Sequence, residues 1–383
     1  MTATAAPRRG SEVLVVAAEA SADLHAAAVV RELRRRRPDL RFAGVGGDRL
    51  GAEGMELVVH AERLAVMGVV EVLRHVPAHY RLLRTLERRL TGGGVGLLLV
   101  LDYPGFNMKL AGAAHRAGVP VLYYVTPQVW AWGAKRIPKL AQVVTKAATI
   151  FRFEEELLRA GGVDATFVGH PLLDRMADLP SRAEARRALG LDDDRPVLGL
   201  FPGSRAQEIV RHLDDFVATA REVERRMPEV QIVVAAAPTV RLDAARCPYP
   251  LVSGASGTVF RAATAAMCKS GTTTLEAAVA GCPLVVAYRT SPVTYRIARR
   301  VVKIPHIGLV NIVAGRELAP EFVQDALKPT AVADALVPLL DDGSPARATM
   351  LAGLAEVRER LGTPGAASRV ADIAVGLLPG PPR

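Results

Sequence analysis

Aromatic side chains make up only 5% of this 383-residue chain, and there are just three cysteines. Cys247, Cys268 and Cys282 are an odd number without metal-ligand spacing, which argues against a disulfide scaffold; reduced thiols in a cytoplasm are the expectation. No continuous apolar window approaches the ~18–20 residues of a membrane-spanning helix, so the 50% hydrophobic content is expected to fill a globular core. Arg8 and Arg9 precede "SEVLVVAAEA", which is short, carries two glutamates and reads as a strand, so no signal peptide is expected. There is no low-complexity tract and no short repeat.

What the chain has in excess is positive charge, +10 at neutral pH. That favours anionic partners: nucleic acid, phosphorylated metabolites or an acidic membrane surface. Nucleic acid rests on net charge alone. The arginine run "RELRRRR" (31–37) has no interleaved aromatics to stack on bases and reads as a solvated helix face.

The first half repeats a unit of aliphatic run, polar or Gly-rich break and helix-period segment. The runs are "EVLVVAA", "RFAGVGG", "VGLLLVLD", "VPVLYYVTP" and "ATIFRF", with a helical stretch from Ala61 to Leu90. The pattern pauses around 170–185, a linker by its prolines and acids, then resumes with "VLGLFPGSR", "EVQIVVAAAP", "YPLVSG", "ATAAMCKSG" and "CPLVVAY". Continuous Val/Leu/Ile runs alternating with helices predict parallel strands covered on both faces. The expected fold class is α/β, with two facing doubly wound Rossmann-like domains and a cleft between them. The expected domains are 1–175, 176–344 and a helical tail, 345–383.

In such sheets ligands bind beyond the carboxyl ends of the strands, so the residues following each run carry the chemistry. After the first come Glu19, Ser21, Asp23 and His25; Ser21 or Asp23 suits capping of the next helix, while Glu19 stays open between a structural and a functional role. The "GVGGDRL" glycines do not match the dinucleotide fingerprint. Asp102 closes an aliphatic run, as a cap or as a functional acid. "YYVTPQVWAW" holds both tryptophans, Trp130 and Trp132, which suit packing behind the turn, with Thr126 and Gln128 the better candidates for contact with a ligand. "LFPGSRAQEI" sets Gly203, Ser204 and Arg205 at a helix N-terminus, and "CKSGTTTLEAAVAG" repeats the device with Ser270, Gly271 and Thr272. Two phosphate cradles with Glu276 a helical turn beyond, where it could accept from ribose hydroxyls, point to a nucleoside diphosphate. Asn311, Gly315, Arg316 and Glu317 fall in a loop of open purpose.

These motifs, with "LAVMGVVEVL", "LDYPGFN", "FVGHPLLD" and "NIVAGRE", stand in the order seen in lipid-A-disaccharide synthases, and the chain resembles that family from about residue 13 to 320. The resemblance implies the glycosyltransferase B fold. It also implies inverting transfer from UDP-2,3-diacylglucosamine to 2,3-diacylglucosamine 1-phosphate, with release of UDP. It matches Asp102 to the catalytic aspartate and Arg205 to the essential arginine. Asn311 and Glu276 fall on nucleotide-side positions, with Arg316 and Glu317 beside them, and Glu19 on the acidic position of the first loop. Two departures stand out: Ala18 and Ala22 replace glycines, and Tyr103 and Gly105 replace Ala and Asp.

Inversion needs a base to take the acceptor hydroxyl's proton, and Asp102 is the candidate. Arg205 and the Ser-Gly-Thr helix terminus would take the leaving charge. No acidic pair of metal-binding spacing lies beside the phosphate loops, so no cofactor and no obligatory metal is expected. On the acceptor and lipid side stand Ser21, His25 and Gln128, with Val66, Val69, Val70 and Leu73 on a helical stretch followed by Arg74, Arg81, Arg84, Arg88 and Arg89. Apolar residues beside arginines suit a helix at an anionic membrane surface, here the inner face of the inner membrane. The resemblance also makes a homodimer plausible. Rival readings are a UDP-sugar transferase with another acceptor, a UDP-GlcNAc 2-epimerase, and a homologue that binds nucleotide sugars or lipids without catalysis.

Overall fold

The aliphatic runs form strands because both faces of each sheet are covered, which leaves no exposed side to select polar residues. The structure, a computed structural model, describes residues 10–64, 69–237, 246–301 and 304–380, without the side chains of 69–76, 132, 293, 297–299 and 301. The first sheet comprises β1 (Glu12–Ala17), β2 (Arg41–Gly46), β3 (Glu56–His60), β4 (Val95–Leu101), β5 (Val121–Tyr124), β6 (Lys146–Thr149) and β7 (Ala165–Phe167), ordered 3-2-1-4-5-6-7. Its pairings are parallel, with Leu14 opposite Leu98 and Leu98 opposite Val121. Leu14, Val16, Leu98 and Val100 face one buried layer, and Val13, Val15, Leu97 and Leu99 the other.

The second sheet comprises β8 (Val197–Phe201), β9 (Gln231–Ala236), β10 (Leu251–Ser253), β11 (Ala265–Lys269), β12 (Leu284–Tyr288) and β13 (Glu321–Val323), ordered 10-9-8-11-12-13 and again parallel. In each sheet the winding reverses once, between β1 and β4 and between β8 and β11. Those are the switch points at which doubly wound sheets bind ligands.

The chain divides into two compact units, Met1–Pro171 with Thr363–Arg383, and Leu172–Gly362. The first boundary thus lies a few residues before the expected 175, and the stretch 345–383 is not a unit of its own. Helix Pro345–Arg360 belongs to the second unit, where its Met350 Sδ accepts from Leu284 N at 3.2 Å. Helix Ala366–Leu377 returns to the first, where Val370, Ala371 and Ala374 share a core layer with Ala26, Val29 and Val30 of helix Ala20–Arg36. Period announces such helices but not where they dock. Three strands were also not foreseen: β3, β7 and β13, all at sheet edges, where partial cover breaks the aliphatic run. "ATIFRF" straddles the end of β6 and the start of helix Arg152–Ala160.

Within the second unit, the linker helix Arg182–Leu189 is locked by Arg186, which is 1% exposed. Its guanidinium donates to Ala262 O at 3.1 Å, Asp192 O at 3.1 Å, Asp193 O and Thr264 Oγ1 at 3.1 Å. A buried cation is tolerable only when its donors are matched in this way. Arg186→Met should keep the volume but strand those acceptors, lowering the unfolding free energy by about 3 kcal/mol in urea titration. An unchanged midpoint would show that the network contributes nothing.

Candidate active site

In the first unit the ends of β1, β4 and β5 carry the residues of interest. Asp102 (φ 47°), Tyr103 (φ 46°) and Val125 (φ 54°) are all left-handed. They are three of the four non-glycine residues so placed among the described residues. Side chains rarely adopt this region, and a β-branched valine there is exceptional. The strain is held by an internal frame. Asn107 Nδ2 donates to Leu101 O at 3.0 Å and to Asp102 O at 2.7 Å, while Tyr123 Oη donates to Asp102 O at 2.6 Å. Asp102 N donates to Val125 O at 3.2 Å, and Pro104 opens helix Pro104–Arg116 directly behind the turn.

The frame ties down the Asp102 backbone, and among the described residues its half-buried carboxyl forms no ion pair. Burial and then the Glu19 charge raise its pKa above the usual carboxylate range, against one favourable bond from Tyr103 N–H. Glu19 occupies the N-cap position of helix Ala20–Arg36 but makes no capping bond. Asp23 does cap, though not the helix it opens: it accepts from Gly47 N at 2.6 Å, Arg49 N at 3.1 Å and Leu50 N at 3.2 Å, at the start of helix Asp48–Ala52. The glycines of "GVGG" serve packing. A Cβ at Gly44 would sit 2.0 Å from Val15 O, and one at Gly47 2.8 Å from Asp23 Oδ2.

Tyr103, a departure from the family pattern, bonds His79 Nε2 at 2.6 Å, which ties the turn to helix Val69–Thr91. Tyr103 stands out in the sequence but its pairing with His79 does not, since no local pattern joins the two residues. Ser21 is exposed, His25 half-buried, Gln128 exposed and Thr126 buried. Trp130 packs edge-on against Phe153 at 5.5 Å and donates Nε1 to Glu154 Oε1 at 2.9 Å. Burial pushes the Glu154 carboxyl up to about 7, against the bond from Trp130. The Trp132 side chain, Val66, and the side chains of Val69, Val70 and Leu73 lie outside the described residues.

In the second unit, β8 is followed by Gly203 (φ 141°) and Ser204, with Arg205 as N-cap of helix Ala206–Arg226. Neighbouring β11 ends in Lys269, followed by Ser270, Gly271 (φ 147°) and Thr272, the N-cap of helix Thr273–Ala280. The two glycine turns therefore stand on adjacent strands at the switch point. Ser270 Oγ donates to Ile307 O at 2.8 Å, and Thr274 Oγ1 ties Gly271 O at 2.9 Å to Val310 N at 3.2 Å. Thr272 is exposed.

Three residues expected at the nucleotide are engaged by the chain itself. Glu276, 8% exposed, takes Arg175 Nη2 on one oxygen and Ser256 Oγ at 3.1 Å on the other. Asn311 lies in helix Leu309–Ala314, not in a loop, and is fully buried. Its amide donates to Ala319 O at 2.7 Å and Glu321 Oε1 at 2.8 Å, and accepts from Leu318 N and Ala319 N at 2.9 and 2.8 Å. It thereby shapes the bend that follows it. Arg316 pairs on the surface with Glu356 at 2.8 Å, and Glu317 is exposed. Among the described residues no three His, Cys, Asp or Glu side chains gather as metal ligands would.

The lipid-A-disaccharide synthetase family model matches residues 13–363. Lipid-A-disaccharide synthase of Geobacter metallireducens is 42% identical, with 96% of this chain and 97% of that protein covered. The one from Anaeromyxobacter sp. strain K is 42% identical over 97% and 99%. Among solved structures, the calicheamicin glycosyltransferase CalG4 superposes with a TM-score of 0.62 at 16% identity, covering 96% of this chain and 98% of its own. A putative UDP-N-acetylglucosamine 2-epimerase from Listeria monocytogenes reaches 0.61 at 12%, covering 96% and 95%. At such identities the structures speak to the fold, which glycosyltransferases and epimerases share. Sequence separates them: the chain belongs to the lipid-A-disaccharide synthetase family.

Proposed function

We propose that the protein is an inverting glycosyltransferase that moves 2,3-diacylglucosamine from its UDP derivative to O6 of 2,3-diacylglucosamine 1-phosphate, forming the β-1,6 disaccharide and UDP. The observation that carries this reading is the Asp102 carboxyl, held on a strained turn at a switch point of a chain in this family. A sugar hydroxyl is too weak an acid to attack at neutral pH unassisted. A carboxylate whose pKa is raised toward neutrality removes its proton more effectively than an ordinary one. Asp102 therefore takes the proton as the hydroxyl attacks the anomeric carbon, and the bond to UDP breaks on the opposite side. Arg205 and the two helix N-termini stabilise the diphosphate as it leaves. Glu19 tunes the base through its charge. Ser21, His25 and Gln128 lie on the acceptor side of this reading.

The acyl chains call for contact with a membrane surface. No helix among the described residues is long and apolar enough to cross a membrane. Helix Val69–Thr91 instead exposes Arg81, Arg84 and Arg88, with Arg84 bonded to the hydroxyl of exposed Tyr80 and its guanidinium 5.1 Å from that ring. Cations beside an amphipathic ring suit a peripheral helix on anionic lipid, on the cytoplasmic face of the inner membrane.

In a coupled assay for UDP with both acylated substrates, Asp102→Asn should lower kcat by about a hundredfold or more, and wild-type turnover should resist chelators. Turnover surviving the substitution would move the base elsewhere, Glu19 first. The acid limb of the pH profile, where protonated Asp102 is inactive, lies above the range of an ordinary aspartate. Glu19→Gln removes a charge that raises this pKa, so the limb should shift to lower pH with the high-pH plateau retained. Loss at every pH would instead assign Glu19 a direct part. Reversing Arg81, Arg84 and Arg88 to glutamate should weaken sedimentation with phosphatidylglycerol vesicles by at least tenfold, and equal binding would remove this helix from the membrane surface.

A further inference from the structure

The sequence motifs assign the diphosphate one cation, Arg205, yet the second switch point holds another. Lys269 is the last residue of β11, one residue before Ser-Gly-Thr, and its side chain is 19% exposed. Nζ lies 3.7 Å from where a Cβ on Gly271 would stand, so it sits against the second glycine turn. It reaches the first turn as well. Nζ donates to Glu208 Oε1 at 2.9 Å, and Glu208 Oε2 accepts from Ser204 N at 3.0 Å. Arg205 Nη1 lies 3.7 Å from the same carboxylate. A Cβ on Gly203 would sit 2.8 Å from Glu208 Oε2, so the glycine is what admits the carboxylate to the turn.

One carboxylate thus collects an ammonium, a guanidinium and a helix-terminal N–H, the donor set that a phosphate oxygen would select. Burial opposes ionisation of Glu208, but Lys269, the Ser204 N–H and Arg205 outweigh it and hold its pKa below the usual range. An ammonium has three donors, and Glu208 takes one of them.

Resting on the function proposed above, we propose that Lys269 is a second diphosphate-binding cation, with Glu208 as the internal anion that positions it between the two glycine turns. The ligand it reads is the diphosphate of a nucleoside diphosphate, not its base or ribose. Lys269 should therefore act on UDP and leave uridine untouched.

The test is calorimetric binding of UDP and of uridine to the full chain, with thermal unfolding as a control for folding. Lys269→Ala should weaken UDP by about tenfold to a hundredfold, with uridine changed less than twofold, and Lys269→Arg should recover most of the loss. Because Lys269→Ala removes the ammonium from Glu208 and leaves its carboxylate able to repel the ligand, the double variant Lys269→Met/Glu208→Gln separates contact from neutralisation. The proposal expects UDP to stay weak in the double variant. Recovery of wild-type affinity there would overturn it, as would equal losses for UDP and uridine in Lys269→Ala. Arg205→Ala distinguishes the two levels of argument. If it weakens UDP while Lys269→Ala does not, only the lysine is excluded. If wild type binds no UDP, the functional reading falls with it.

Discussion

The first unit's site depends on how one carbonyl is held. Asp102 O receives both Asn107 Nδ2 and Tyr123 Oη, and those two bonds keep the residue in a conformation that costs about 1–2 kcal/mol in an L-residue. Tyr123 and Asn107 are fully buried, so the frame is rigid and excludes water. With the backbone turned into the core, the carboxyl is the part of Asp102 left for chemistry. The neighbouring strain at Tyr103 and Val125 belongs to the same device, because β4 and β5 share the bond from Asp102 N to Val125 O. Tightly packed strands around a distorted end are what allow a residue to remain in an unfavourable region.

Buried polar atoms concentrate at the same end of the sheet. Asn107 Oδ1, Thr126 Oγ1, Thr149 Oγ1 and Glu154 Oε2 are buried without a protein partner among the described residues, and all follow or end β4, β5 or β6. Such groups are usually paired, and the exceptions call for a physical reason. Here they lie at the end of the sheet that carries the proposed base.

The fold was legible because parallel strands covered on both faces write themselves as aliphatic runs, and "VGLLLVL" and "VLGLF" could be little else. Edge strands such as β3 and β13 lack that signature. The destination of helix Ala366–Leu377 depends on complementarity with helix Ala20–Arg36, which no local pattern encodes. At the candidate site, position along the chain places Asp102, Arg205 and the glycine turns within a few residues of strand ends. It could not show what the side chains do with one another. Asp23 looked like a cap for its own helix and serves another, Asn311 looked like a ligand-facing residue and braces a bend, and Lys269 passed as the end of a strand. A lysine as the last strand residue, directly before Ser-Gly-Thr, is a signal that the sequence carries.

The two switch points are built with opposite electrostatics, and each suits the role proposed for it. At β1 and β4 the Glu19 charge adds to burial in raising the cost of ionising Asp102, and among the described residues Asp102 forms no ion pair, which suits its proposed role as a base. At β8 and β11 the cations are each matched by an internal carboxylate: Lys269 and Arg205 by Glu208, and, a helix away, Arg175 by Glu276. Of these cations Lys269 is the most buried, and a partly desolvated ammonium close to a guanidinium is unfavourable without an anion beside it. Carboxylates that hold those cations in place before the ligand arrives resolve that conflict. They also moderate affinity, since a diphosphate must compete with them for the same donors. In the proposed reaction the nucleotide product leaves on every turnover, and a cradle that already contains its own anion would favour release over retention.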